Sequence, residues 1–484
     1  MPDSSWPEDK SYSQPVISTS VSEVGRGVSD DLPESLPLDQ QPRYDGRRLK
    51  AAVVLLLVWG IILTLHWLSW GFWVMLALAS FVGIHLLRLV LARPTTPPSP
   101  LVGNPDEWPF VSLVVAAKNE EAVIRQLVTN MGQLDYPPHR YELWVIDDHS
   151  TDNTPELLQK LAQEYEQLQV LHRPAGATGG KSGALNQVRP LLKGEVIGVF
   201  DADAQVAPDL LKNVVPFFAQ DKIGAVQVRK AIANAGTNLW TRGQEAEMAL
   251  DTFLQQHRIA IGGVCGLRGN GQFVRRRALE KCGGWNEETI TDDLDLAIRL
   301  HLDQWDIEVL VFPAVQEEGV TTTRSLWHQR NRWAEGGYQR YLDYWRPLIR
   351  NQLGWSKSTD LVAFLIIEYL LPTAIIGDFL IALARNCGLI HFGYRFLITS
   401  PLSFLTITLS LIGIWIGLPE TSPNQYHPRK QPLNLAWRSI HGTIYMLHWL
   451  IVVGSTNVRM SILPKRLKWV KTVHQGTHEA ESPS

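Results

Sequence analysis

The chain alternates between long apolar stretches and stretches in which short apolar runs are separated by polar segments. An almost charge-free stretch runs from Ala51 to about Leu91. It is about twice as long as the roughly twenty residues that one helix needs to span a bilayer. It therefore predicts two membrane-spanning helices within residues 46–93, with a turn near Trp67 to Gly71.

Apolar segments of similar length return in the C-terminal region 351–456, at 360–384, 396–418 and 436–453. Residues 457–484 are basic and then polar. Because Lys and Arg concentrate in cytoplasmic flanks, three full spans here would place that basic tail outside. Two spans with an interfacial or re-entrant segment would keep the tail in the cytoplasm, so we expect four full spans in the chain.

Between the two apolar regions, residues 94–320 follow a different pattern. Short β-branched runs at 111–115, 143–146 and 196–200 are separated by stretches of helical character. This alternation predicts an α/β domain with a mainly parallel sheet covered on both faces. It is followed at 321–350 by a segment rich in Arg, Trp and Tyr, which predicts an interfacial amphipathic helix.

Charge and composition add a few limits to this outline. The 484 residues carry a formal net charge of -3, which argues against a nucleic-acid binder. Residues 1–45 are rich in Ser, Pro and acidic groups, so we expect a disordered N-terminal tail. Basic residues flank the first pair of predicted spans, which places the tail and the α/β domain on the cytoplasmic face.

Acidic pairs follow two of the predicted strands. Asp147 and Asp148 come after one run, and Asp201 and Asp203 come directly after another. Because the carboxyl ends of parallel strands meet at one edge of a sheet, we expect these carboxylates to lie close together. Alternate carboxylates can present oxygens to a hard cation that bridges two phosphates. Taken alone, Asp201 and Asp203 are better explained as part of a solvated loop, and Asp147 and Asp148 could form a simple turn and helix cap.

Three further motifs carry candidate chemistry. Lys181 lies in a glycine-rich segment that is not a P-loop, because Ala175 stands where that motif needs glycine. Thr291-Asp292-Asp293 opens a predicted helix, where it could act purely as a cap. Gln329, Arg332 and Trp333 are spaced to share one surface of a helix.

In this order, and between two groups of apolar segments, these motifs resemble those of the family 2 glycosyltransferases. The resemblance extends from Val111 to about Trp345 and implies a GT-A-like catalytic domain. It implies that Asp201 and Asp203 hold Mg²⁺, with Mn²⁺ as the other candidate cation, and that Asp293 is the general base. The donor site would comprise Asp148 at the uracil, Lys181 at the diphosphate, and Gln329, Arg332 and Trp333. Segments 269–276 and 283–286 also resemble family segments, without a single assigned role.

Within that family, the layout is similar to that of the cyanobacterial membrane enzymes that glucosylate diacylglycerol. This likeness implies an inverting, UDP-glucose-dependent hexosyltransferase that acts on 1,2-diacylglycerol to give β-monoglucosyldiacylglycerol, a precursor of thylakoid galactolipids. It implies an integral protein of the plasma or thylakoid membrane. The residues themselves do not separate glucose from galactose.

Other functions remain open at this point. A processive polysaccharide synthase of the cellulose type shares the Gln-x-x-Arg-Trp motif, and ceramide or polyprenyl phosphate are alternative acceptors. A channel, transporter or scaffold would keep the aspartates for structural reasons alone. Glu368 and Asp378 fall in an apolar segment, where an ionisable group is costly, and each is either functional or paired.

Overall fold

The computed structural model describes residues 46–422 and 431–463. The predicted tail at 1–45, and the part of the predicted basic tail from residue 464 onward, lie outside the described residues. The strands are β1 (Val111–Ala117), β2 (Tyr141–Asp147), β3 (Leu168–His172), β4 (Val196–Phe200), β5 (Ile223–Ile232), β6 (Gln272–Arg275) and β7 (Asp306–Glu317).

The strands form one seven-stranded sheet in the order β3-β2-β1-β4-β6-β5-β7. The pairs β3-β2, β2-β1, β1-β4 and β5-β7 are parallel. Strand β6 is antiparallel to both of its neighbours, β4 and β5. The mainly parallel α/β sheet predicted from the sequence is confirmed.

The helices of the described residues surround this sheet and build a second, helical part of the molecule. Within the α/β domain they are α3 (Ile124–Gly132), α4 (Thr154–Glu164), α5 (Gly180–Val188), α6 (Leu210–Val214), α7 (Leu239–Ala260), α8 (Arg276–Lys281) and α9 (Asp292–Leu302). The others are α1 (Arg47–Trp67), α2 (Gly71–Leu91), α10 (Thr323–Ile349), α11 (Trp355–Leu365), α12 (Leu371–Asn386), α13 (Ser400–Thr421), α14 (Pro432–Met446) and α15 (His448–Ile462).

The sheet is buried on both faces because successive side chains of a strand point in opposite directions. Leu113 and Val115 of β1 belong to a core with Leu127 of α3 and Leu158 of α4. Val114, between them, belongs to a second core that includes residues of α5 and α9. Strands buried in this way become continuous apolar runs, which is why they could be read from the sequence.

Four helical segments in the described part of the chain are long and apolar enough to cross a membrane: α1, α2, the continuous segment Trp355–Asn386, and α13. In the third of these, a π-helical turn at Ile366–Leu370 joins α11 to α12. The apolar run predicted at 436–453 is divided between α14 and α15, each of 15 residues, which is short for a full span.

Charged residues inside the helical part are held in pairs. Asp360, with no exposed surface, accepts hydrogen bonds from Arg258 Nε, from the Val264 backbone N–H and through an Nε2 contact with His85. Asp378 lies 2.7 Å from His66 Nε2 and accepts from Thr399 Oγ1. Because an unpaired charge at such a depth is costly, these contacts cross-link helices. Asp378, which the sequence leaves open, therefore has a structural role as a partner.

Helix α10 covers the segment 321–350, for which the sequence predicts an interfacial amphipathic helix. It is exposed toward its ends, as at Trp327 and Trp345. Its middle is enclosed by protein, with Ala334 to Gln339 buried at six consecutive positions. A stretch that is buried all round packs inside the molecule, so this part of α10 is held by other helices.

Candidate active site

A single cavity of about 920 Å³ opens at the carboxyl edge of the sheet. Its lining includes every candidate donor, metal and base residue identified in the sequence: Asp148, Lys181, Asp201, Asp203, Asp293, Gln329, Arg332 and Trp333. These residues span nearly 190 positions of the chain, and the fold brings them to one place. Each could therefore act on the same bound molecule.

The sheet topology explains why the acidic motifs meet. Strand β1 pairs with β2 on one side and with β4 on the other, so that Val115 lies beside both Val145 and Phe200. Asp148 follows the end of β2 and Asp201 follows the end of β4. Strand β2 thus lies on one side of β1 and β4 on the other, and the strand order reverses at β1. Ligands of open α/β sheets bind in the crevice outside such a switch point.

Asp148 is fixed by two cations at the sheet edge. Arg173 Nη1 donates to Asp148 Oδ1 at 2.5 Å, and Lys118 Nζ lies 3.6 Å from the other carboxylate oxygen. Arg173 is buried and also donates to the backbone oxygens of Thr178 and Gly180, which hold the loop before α5. Asp148 therefore occupies one defined orientation at the cavity wall.

Lys181 and Asp201 form an ion pair across the cavity, with Nζ 2.5 Å from Oδ1. Burial would lower the pKa of the Lys181 ammonium, but the carboxylates of Asp201, Asp292 and Asp293 outweigh that effect and raise it. Burial would likewise raise the pKa of Asp201, but Lys181, Lys230 and Arg332 lower it. Both groups therefore stay ionised around neutral pH.

Asp201 and Asp203 are each supported by a different neighbouring segment. Before β6, Asn270 is fully buried, and its Oδ1 accepts a hydrogen bond from the Asp201 backbone N–H at 3.3 Å. After β7, the backbone N–H of Glu318 donates to Asp203 Oδ2 at 3.2 Å. These contacts fix the backbone of Asp201 and the carboxylate of Asp203, and both residues border the cavity.

The donor set at Asp201 and Asp203 fits a hard divalent cation shared with a diphosphate. Among the described residues, no group of three or more His, Cys, Asp or Glu side chains is placed to hold a metal ion alone. Mg²⁺ is usually bound by one or two carboxylates together with substrate phosphates and water. Two carboxylates facing open space match that requirement.

Asp293 lies in the first turn of α9, with Thr291 at its N-cap position. The Thr291 hydroxyl makes no capping hydrogen bond and is buried without a partner, so the cap explanation of this motif fails for its threonine. Burial, and then the neighbouring Asp292 carboxylate, raise the pKa of Asp293 to about 6. Asp292 has a raised pKa too, chiefly through burial. A carboxylate with such a pKa can accept a proton near neutral pH.

Two glycines allow close approach to the turn that carries Asp293. A Cβ atom at Gly336 of α10 would lie 2.3 Å from the Thr291 side chain, so α10 can pack here only through a glycine. Gly269 has φ +81° and a Cβ there would lie 3.3 Å from Asp293 Oδ2. The absence of side chains at both positions leaves Asp293 beside the cavity.

The Gln-x-x-Arg-Trp motif lies on α10 with its three key side chains at the cavity. Burial lowers the pKa of Arg332, and Asp201 and Asp293 oppose that effect, so this cation faces the same carboxylates as Lys181. The Trp333 ring is held by Arg330, 4.1 Å from its centroid, and by Lys230 at 5.1 Å. Arg330 is itself fully buried and pairs with Glu247.

Several contributors were missed at the sequence level. Lys118 and Arg173 directly follow β1 and β3, so extending the strand-end argument to every strand would have found them. Lys230, which pairs with Glu317 at 3.0 Å, has no comparable signal because it lies within a strand. Asn270 belongs to a segment noted for its resemblance, and its role emerges only from its hydrogen bonds.

A second group of charges borders the cavity on its helical side. Arg268 forms a two-point contact with Asp251 of α7, with Nη2 2.6 Å from Oδ1. Arg340 of α10 lies 3.6 Å from Glu368, which is in the π-helical turn. Glu368 therefore lines the cavity, whereas Asp378 is paired inside the helical part and does not line it.

Comparison with known proteins agrees with this geometry. The family described as "Glycosyltransferase like family 2" matches residues 109–336, which include every candidate site residue. The β-monoglucosyldiacylglycerol synthase of Nostoc sp. is 54% identical over 480 residues, covering 99% of this chain and 100% of that protein. This chain belongs to the β-monoglucosyldiacylglycerol synthase family. The predicted class, a membrane glycosyltransferase with a GT-A-like domain, is confirmed.

Other similarities extend across the chain. The β-monoglucosyldiacylglycerol synthase of Synechocystis sp. is 54% identical over 438 residues, 90% of each protein. Among solved structures, a mannosyltransferase from Pyrobaculum calidifontis in complex with GDP-Man and Mn²⁺ covers 83% of this chain and 99% of its own. That pair shares 19% identity, with a TM-score of 0.49.

Proposed function

We propose that this protein transfers glucose from UDP-glucose to 1,2-diacylglycerol and releases β-monoglucosyldiacylglycerol and UDP. The observation that carries the proposal is the single cavity, which joins the sheet-edge motifs to the interior of the membrane-length helices. The names of the 54% identical relatives support the same product and its β configuration.

The donor would lie along the sheet edge. Asp148, held by Arg173, would accept one hydrogen bond from the uracil N–H. Lys181 and Arg332 supply cations for the diphosphate, and Gln329 and Trp333 close the site from α10. A divalent cation held by Asp201 and Asp203, Mg²⁺ or Mn²⁺, would neutralise charge on the leaving diphosphate.

Asp293 would act as the general base. Its carboxylate accepts the proton of the acceptor hydroxyl as that oxygen attacks C1 of glucose. The new C1–O bond forms while the bond from C1 to the diphosphate oxygen breaks, and UDP leaves with the electron pair. A single displacement of this kind inverts the configuration, so an α-linked donor gives a β-linked product.

The location of the reaction follows from the same arrangement. The catalytic domain would lie on the cytoplasmic face, where nucleotide sugars are available, with the four candidate spans in the plasma or thylakoid membrane. A diacylglycerol can then reach the cavity from the bilayer without leaving it. The product would serve as a precursor of thylakoid galactolipids.

The proposal is tested with membranes that contain the protein, radiolabelled UDP-glucose or UDP-galactose, and added diacylglycerol or ceramide. We expect one labelled lipid, formed from UDP-glucose and diacylglycerol and cleaved by a β-glucosidase. Membranes with Asp293→Asn serve as the control for background transfer. A growing insoluble polymer would instead identify a processive synthase. Labelling of ceramide alone would identify ceramide, not diacylglycerol, as the acceptor.

A further inference from the structure

The cavity continues past the charged residues into the helical part of the molecule. Helices on three sides each present one stripe of residues to it, spaced by three or four positions as expected for one helix face. The stripes are Phe364, Ile367, Leu371 and Ile375 along α11, the π-helical turn and α12; Ser403, Thr406, Ile407 and Ser410 on α13; and Thr443, Met446, Leu447 and Leu450 from α14 across its junction with α15. We call the space between these three stripes the apolar chamber.

The apolar chamber begins where the charged lining ends. Glu368 of the π-helical turn shares its helix face with Leu371 and Ile375, one and two turns further along. At a rise of 1.5 Å per residue, the wall changes from a carboxylate to aliphatic side chains within about 10 Å. Arg268 and Gly269 also line the cavity, and a Cβ atom at Gly269 would lie 3.3 Å from Asp293 Oδ2. A molecule with a polar head and an apolar tail would fit this gradient with its head at Asp293.

The chamber lies between two helical segments that have different packing partners. Helix α12 packs against α1 and α15, whereas α13 packs against α2, α7 and α14. Ile407 of α13 lines the chamber and is 44% exposed. Because α12 and α13 belong to candidate spans, a lipid could enter sideways between them.

We propose that the apolar chamber holds an acyl chain of the diacylglycerol acceptor and selects acceptors by chain length. This inference rests on the proposed function. An acyl chain matches the apolar side chains of the first and third stripes. The three hydroxyl groups of the α13 stripe already donate to backbone carbonyls one turn earlier, so they need no polar partner from a ligand. The hydroxyl groups of a sugar polymer would lose hydrogen bonds to water against such a lining. The length of the chamber, rather than any contact with the reacting hydroxyl, then sets which diacylglycerols are used.

Two threonines of α13 provide a matched pair of variants. Thr406 lines the chamber, and its hydroxyl bonds only within its own helix, to the Leu402 carbonyl. Thr408, two residues on, does not line it. Thr406→Trp would fill part of the chamber, whereas Thr408→Trp adds the same bulk elsewhere on the same helix.

The purified full-length protein is given UDP-glucose and an equimolar mixture of dioctanoyl and dioleoyl glycerol, and the two glucosylated products are quantified by mass spectrometry. We expect Thr406→Trp to lower the ratio of long-chain to short-chain product by roughly tenfold. Thr408→Trp should keep the wild-type ratio. Both products form in one tube, so the ratio does not depend on the folded fraction. Equal ratios in the wild type and both variants would overturn the proposal.

A second measurement uses the wild-type protein alone, in case Thr406→Trp does not fold. A diacylglycerol with a diazirine at the end of one acyl chain is photolysed in the presence of UDP. Labelling within 364–375 and 403–410 at inward positions is expected, and labelling confined to outward residues such as Phe379 and Phe404 would refute the chamber. A wild-type protein that glucosylates no diacylglycerol would overturn the proposed function itself, which separates the two failures.

Discussion

The two halves of the cavity treat charge in opposite ways. On the sheet side, carboxylates keep unused hydrogen-bonding capacity: the Asp201 side chain is 44% exposed, and Asp292 Oδ2 is buried without a hydrogen-bond partner. On the helical side, Asp360 and Asp378 have no exposed surface, and each accepts several hydrogen bonds. The comparison shows that a carboxylate available for chemistry keeps hydrogen-bonding capacity that no protein group uses. A structural carboxylate has that capacity filled by donors from neighbouring residues.

The strongest test of this contrast is Asp293→Asn. The amide has nearly the same shape but cannot accept the acceptor's proton, so we expect kcat to fall by about a thousandfold or more. UDP-glucose binding, measured by calorimetry, should stay within a factor of about three. Asp221→Asn, at a carboxylate 91% exposed on the surface, is the matched control and should be silent. Wild-type turnover in Asp293→Asn would remove the base assignment.

Asp360→Ala tests the carboxylates on the helical side, whose hydrogen bonds are all made within the protein. It leaves the buried Arg258 without its ion-pair partner and the Val264 N–H without its acceptor, which is expected to cost about 3–5 kcal/mol of stability. Thermal unfolding in detergent would report the loss. The protein that remains folded should bind UDP-glucose normally, because Asp360 does not line the donor site. A stable variant with weakened donor binding would contradict this division of roles.

Cation removal addresses the open carboxylates directly. We expect a chelator to abolish transfer and to weaken UDP-glucose binding by roughly a hundredfold, since a cation shared with the diphosphate supplies several kcal/mol. Asp203→Asn should also weaken UDP-glucose binding. Adding Mn²⁺ or Mg²⁺ after the chelator should restore binding and transfer in the wild type but not in this variant. Full transfer in chelator would exclude the metal assignment at Asp201 and Asp203.

The smallest predicted effect concerns pH. Asp293 must be ionised to act as a base, and its pKa is raised to about 6, so activity is present above that pH and lost below it. We expect kcat to fall about tenfold for each pH unit below 6. The pKa of Asp201 is lowered, so donor binding should stay constant over the same range. A parallel loss of binding and turnover would assign the acid limb to another group.

Much of the sheet and of the site could be predicted from the sequence, for a physical reason. Buried parallel strands are continuous apolar runs, and the residue after each run is placed at the ligand-binding edge, which locates Asp148 and Asp201 without a structure. Lys181, Asp293 and Arg332 lack that positional logic and were assigned through the family resemblance. Their convergence on one cavity agrees with that assignment, and their individual roles stay predictions.

The remaining features depend on contacts between distant parts of the chain. The sequence around Asp378 does not indicate that His66 and Thr399 will be its hydrogen-bond partners. Nor does it indicate that Glu368, ten residues earlier, will line a cavity. The enclosed middle of α10 was likewise hidden, because its arginines and tyrosines have the composition of a surface helix. Their burial requires partners from other helices, as in the Arg330–Glu247 pair.

The paired glycines of α10 have a consequence for how this enzyme can be divided. Gly336 rests against Thr291 at the start of α9, and a Cβ at the adjacent Gly337 would clash with the Tyr369 hydroxyl in the π-helical turn. One helix therefore joins the turn that carries Asp293 to the third candidate span through contacts that tolerate no side chain. Residues 94–320 alone consequently do not contain the whole cavity, because α10 supplies part of its wall. A soluble fragment that ends before α10 would lack one wall of its own active site.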